Sequence, residues 1–130
     1  MRALVSVAAL LLTGCADSIG RLELVEQLQA GRAPAIVDVR SQGEYEASHL
    51  PGAVHIPFYA ILAASEQLPE PAAEGEPIVV YCEHGPRAGI ARAQLWLVSD
   101  VPVRFLEGHM TAWKRDGLPV AGGVGVEPAE

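Results

Sequence analysis

The sequence predicts an α/β fold: a mostly parallel central sheet with helices on both faces. Three observations carry that expectation. Short apolar runs, Ala35 to Val39, Ile78 to Tyr81 and Val101 to Phe105, are continuous enough for strands covered on both sides. Between them lie amphipathic stretches of helical period, which is the alternation that builds βα units. The chain has 130 residues, within the roughly 100 to 200 of a single domain, so one sheet and one set of helices suffice.

The elements follow in order. Leu22, Val25 and Leu28, with Leu24 beside them, form one apolar helix face before Gly31 and Pro34 stop it. The first long strand spans Ala35 to Val39, and a short strand lies near Val54 to Ile56. Pro69 to Pro77 is rich in Pro, Glu and Ala and reads as a loop. After the strand Ile78 to Tyr81, a helix opens near Arg87, with Ala91, Leu95 and Val98 on its buried face. The strand Val101 to Phe105 and a short helix, about Met110 to Arg115, close the fold. Trp113 on that last helix is expected in the core.

Half of the residues are hydrophobic and 19% are charged, which excludes a disordered chain. The net charge is −7 and the basic residues form no run, so nucleic acid is not an expected partner. Two cysteines, Cys15 and Cys82, are too few for a disulfide scaffold and lack the paired spacing of a zinc site. His49 and His55 have no metal-ligand company and are assigned to turn and strand packing. No metal and no cofactor is expected.

Met1-Arg2 precedes Ala3 to Leu12, where every residue but Ser6 is apolar, and then Thr13-Gly14-Cys15. The apolar run is far shorter than the about 20 residues of a membrane span and suits a secretory signal. Leu12-Thr13-Gly14-Cys15 resembles a bacterial lipobox. That resemblance implies a lipoprotein signal peptide over 1–14, a lipidated Cys15 with a short tether over 15–18, and a periplasm-facing protein of the bacterial cell envelope held on a membrane, by default the outer one. An ordinary secretory signal, or a hydrophobic first helix with an incidental cysteine, is the alternative. The catalytic or binding domain is then expected over 19–120, with a flexible tail over 121–130.

The chemistry is expected after the second long strand. Ile78 to Tyr81 delivers Cys82 to its carboxyl end, where open α/β sheets bind ligands. Glu83, His84, Gly85 and Pro86 make a tight loop, and a helix begins at Arg87. Inward-facing loop amides and the helix N-terminus favour an anion, so they favour a nucleophilic thiolate on Cys82. Glu83 is expected to turn its side chain to solvent and contribute its amide.

These residues resemble the rhodanese family of single-domain sulfurtransferases. Asp38-Val39-Arg40 with Glu44-Tyr45, Ser48-His49-Leu50-Pro51-Gly52-Ala53, and Leu106-Glu107-Gly108 with Ala112-Trp113 and Gly117-Leu118-Pro119-Val120 are similar to the family's motifs in order and spacing. Cys82 to Arg87 is similar to its active-site loop, with Cys first and Arg last. His109 departs from the pattern, standing where a second Gly is usual.

The resemblance implies a rhodanese-like sheet and a persulfide relay. Cys82 would take the outer sulfur of a small anionic donor such as thiosulfate and pass it to a thiol or cyanide acceptor. The loop Glu83 to Arg87 would hold the anionic sulfur, with Arg87 orienting loop or donor and His84 either contacting the donor or only solubilising. Asp38, Arg40 and Glu44 are expected to form a structural ion network. Two alternatives stand beside this reading. Phosphatases and arsenate reductases use a related Cys…Arg loop one residue longer, and rhodanese-like modules without turnover bind partners.

Overall fold

The computed structural model describes residues 17–123; Cys15, the rest of the predicted signal and residues 124–130 lie outside them. The chain order is β1 (Ser18–Ile19), α1 (Arg21–Gln29), β2 (Ile36–Asp38), α2 (Gln42–Ala47), β3 (Val54–His55), a short 3-10 turn (Ser65–Gln67), β4 (Ile78–Tyr81), α3 (Pro86–Val98), β5 (Val103–Leu106) and α4 (His109–Arg115). The strands form one five-stranded sheet in the order β1-β5-β4-β2-β3, and each pairing is parallel.

The central strand β4 shows why its apolar run is unbroken. Its side chains alternate between faces. Val79 and Tyr81 enter a core with Leu24, Leu106, Met110 and Trp113, while Ile78, Val80 and Cys82 enter another with Ala88, Ala91 and Leu95. Residues of α1 and α4 thus line one face and those of α3 the other, which bears out the predicted α/β architecture.

Several boundaries differ. Leu22 is 71% exposed, and the buried stripe of α1 is Leu24 with Val25 and Leu28. Leu22 lies two positions from Leu24, roughly 200° around the helix, so both cannot face the sheet. Val98, expected on the inner face of α3, is 39% exposed at the last residue of the helix. The helix α2 has no apolar stripe long enough to be read by period. Ser41 instead caps it, accepting from the Glu44 amide while the Glu44 carboxylate accepts from Ser41 N.

The described part of the expected tail is tied down. Ala121 and His49 exchange backbone hydrogen bonds, and Gly123 N donates to Glu46 O. Trp113 is fully buried, with its indole N–H donated to Pro119 O at 2.8 Å. His49 stacks on Tyr45 and His55 bonds the Arg40 carbonyl, the packing roles expected of them.

Candidate functional site

Strand β4 ends by placing Cys82 at the carboxyl edge of the sheet, fully buried. The chain must then reverse into α3 within a few residues. Gly85 makes that turn at φ +128°, a region open to glycine alone, and Pro86 follows at the first helical turn, where its missing N–H costs nothing. The result is a loop folded over the sulfur. The Gly85 amide donates to Cys82 Sγ at 2.9 Å, at the head of α3. This N–H and the helix terminus both favour negative charge on sulfur.

The loop is fastened from the other side by α4. Met110 N donates to Cys82 O at 3.0 Å, and Glu83 O accepts from Thr111 N at 3.1 Å and from Thr111 Oγ1 at 2.9 Å. His109 contributes its ring: Cys82 N donates to Nδ1 at 3.2 Å, and Sγ lies 4.0 Å from the same nitrogen. His109 is the only non-glycine residue with positive φ among the described residues, at 53°. Such a conformation costs about 1–2 kcal/mol in a residue with a Cβ. Burial, then the neighbouring His84, push the His109 imidazole below its ordinary pKa.

The predicted ionic residues are present but divided differently. Asp38 and Arg40 form a fully buried pair at 2.8 Å, and the Tyr81 hydroxyl donates to Asp38 Oδ2 at 2.6 Å. Burial and the Asp38 carboxylate raise the Tyr81 phenol far above its usual range. Glu83 corrects the sequence expectation: its carboxylate turns inward, accepting from Arg40 at 3.4 Å and from Lys114 at 2.9 Å. Two cations beside it outweigh solvation. Thr111 and Lys114 carry no motif signal by which the chain alone could single them out.

Glu44 lies outside the Asp38–Arg40 network. It pairs with Arg87 through two hydrogen bonds, at 2.7 and 3.0 Å, so the last residue of the loop is held by α2. His84 is exposed, and its Nδ1 is 3.0 Å from Thr111 Oγ1. Arg87 first, then the Ser41 amide and hydroxyl, hold Glu44 near a pKa of about 2 against the opposing effect of burial. A depressed carboxyl pKa stabilises the fold above the unfolded value, 4.5, and that contribution is lost as pH falls through about 2. Acid unfolding of Glu44→Gln should therefore lose part of the pH dependence between these values. An unchanged acid profile would show that the pair contributes nothing.

Residues 21–116 match the family described as Rhodanese-like domain. The chain belongs to the rhodanese family. A sulfurtransferase of Allochromatium vinosum is 31% identical over 85 residues, covering 65% of this chain and 76% of that protein. An uncharacterized protein of Synechocystis sp. is 36% identical over 95 residues, 73% of this chain and 51% of its own. The chain spans about half the length of the first curated relatives it matches. Among solved structures, a thiosulfate sulfurtransferase of Pseudomonas aeruginosa superposes with a TM-score of 0.68 at 27% identity, covering 88% of this chain and 21% of that one. Within this rhodanese domain, the Cys82 loop is the place where the cysteine sulfur meets a donor amide and a helix terminus.

Proposed function

We propose that the chain is a sulfurtransferase that carries a sulfane sulfur on Cys82. The observation that carries this reading is Cys82 Sγ at the end of β4, receiving the Gly85 amide at the head of α3. The family membership and the sulfurtransferase relative support it. The Cys82 thiolate attacks the outer sulfur of an anionic donor of the thiosulfate class. The new S–S bond forms as the donor's own S–S bond breaks, and sulfite leaves with the electron pair. A thiol or cyanide acceptor then attacks the outer sulfur and restores the thiolate. Loop amides stabilise the persulfide anion without water having to reorganise. Because Cys82 is covered, residues 83–86 must shift to admit the donor.

The phosphatase reading is weaker because Arg87, which would have to grip a phosphate, already spends its guanidinium on Glu44. We assign the protein to the bacterial envelope, lipid-anchored through Cys15, on the lipobox resemblance alone.

The full chain carrying Cys15→Ser retains Cys82 as its one thiol. Treated with thiosulfate, it should gain one sulfur atom by mass spectrometry and form thiocyanate when cyanide is added. The further change Cys82→Ser should abolish both. Equal thiocyanate formation in the two proteins, or aryl phosphate hydrolysis faster than sulfur transfer, would sink the proposal.

A further inference from the structure

We infer that the outer face of α3 rests on a lipid bilayer, with Trp96 and Leu97 entering the interface; the inference rests on the reading of Cys15 as a lipid anchor. In a chain that is 19% charged, every exposed residue of α3 from Pro86 to Val98 is uncharged. A surface helix normally turns charged and polar side chains outward. Here Ile90, Trp96 and Leu97 are 50%, 67% and 76% exposed, and Ile90 and Leu97 lie seven positions apart on one side of the helix. The patch continues onto the neighbouring loop. Gln94 donates to Phe58 O at 2.6 Å and accepts from Leu62 N at 3.3 Å, which sets the exposed Tyr59 and Leu62 beside α3. A contiguous apolar surface of this kind marks a contact site.

The position of the chain's start says what covers it. Asp17 O accepts from Phe105 N at 2.7 Å, and the Asp17 carboxylate lies 3.8 Å from Arg92 on α3. The Arg92 guanidinium in turn lies over the Trp96 ring, 5.1 Å from its centroid. Cys15 is two residues before Asp17, and two residues span at most about 7 Å. An acyl chain on Cys15 therefore enters the bilayer beside Trp96. So short a tether must turn one side of the domain to the lipid, and the side it selects is the uncharged one.

The chemistry of the patch agrees. Trp and Tyr rings favour the membrane interface, and apolar side chains on one helix face bury in the acyl boundary. The net charge of −7 opposes an anionic surface, so the contact is apolar and needs no acidic lipid. α3 has 13 residues, about 20 Å of helix, and lies along the surface with the Cys82 loop at its head.

The test uses the full chain made in a bacterium that processes lipoproteins. Its intact mass reports whether Cys15 carries lipid. The protein is placed in phosphatidylcholine vesicles brominated near the headgroup, which quench a tryptophan that enters the interface. The chain has two tryptophans, and Trp113 is fully buried on the opposite face of the sheet, so Trp96→Phe gives the background. Brominated lipid should quench the parent and leave Trp96→Phe unchanged. Quenching should be lost in Ile90→Asp/Leu97→Asp, whose unfolding midpoint in detergent should match the parent. A lipidated, vesicle-bound chain with Trp96 unquenched keeps the anchor and overturns the docking. If Trp96 of the Cys15→Ser chain is shielded from acrylamide without lipid, residues 3–12 or a second copy cover the face, and the docking is again overturned. If Cys15 carries no lipid, the anchoring reading fails. The docking then stands if the chain added to the same vesicles is quenched and Ile90→Asp/Leu97→Asp is not, and falls otherwise.

Discussion

Replacing Arg40 with alanine is expected to cost about 3–5 kcal/mol of stability, the usual penalty for stranding one member of a buried ion pair. Arg40 donates from Nε and Nη2 to both oxygens of Asp38, from Nη2 to the Ser48 carbonyl and from Nη1 to Glu83. Removing it leaves a fully buried Asp38 carboxylate with only the Tyr81 hydroxyl and the Arg40 amide as partners. Urea unfolding should show the loss as a lower midpoint at unchanged slope. Combining Arg40→Met with Asp38→Asn removes both charges and should cost less than Arg40→Ala alone. If the double variant is as unstable as the single, the stranded charge is not the cause. Sulfur loading should also slow in Arg40→Ala, because Glu83 begins the loop and loses one of its two cations.

Gly108→Ala should be nearly as damaging, at about 2–4 kcal/mol, from left-handed strain and overpacking together. Gly108 sits at φ +73°, and a Cβ there would lie 2.4 Å from the Ala112 Cβ and 2.9 Å from Arg21 Nη1. Ala112 is buried in α4 and cannot retreat. Gly117→Ala is the control, since it has φ +65° but open space around the added carbon, so it should cost only about 1–2 kcal/mol. Equal melting temperatures for the two variants would show that crowding adds nothing. The displaced α4 also carries the His109 ring and the Met110 and Thr111 amides, so Gly108→Ala should lose sulfur loading out of proportion to its stability.

Much of this was legible in the chain because local physics sets it. The run Ile78 to Tyr81 reads as a doubly covered strand, and Gly85-Pro86 as a tight loop leading into a helix. The Ser41-x-x-Glu44 pattern held the signal for α2, but that helix is too short to show a period. His109 was visible as a departure from a glycine position, yet its meaning was not, because a ring's neighbours depend on where β5 and α4 pack against β4. Glu83 illustrates the same limit: adjacent to Cys82, it looked solvent-bound until Arg40 and Lys114 were brought to it from the turn after β2 and from α4.

What the sequence by itself determined is the layered α/β fold, the family, and Cys82 at the carboxyl end of a central strand. These follow from periodicity, turn chemistry and motif spacing, all of which act over a few neighbouring residues. Only the tertiary structure decided how the polar groups are paired: Arg40 with Asp38 and Glu83, Arg87 with Glu44, and the His109 ring with the Cys82 amide. The last pair is separated by 27 positions. Such pairings are set by which faces the sheet and helices bury together, and the free energy of that burial is not written in any single segment.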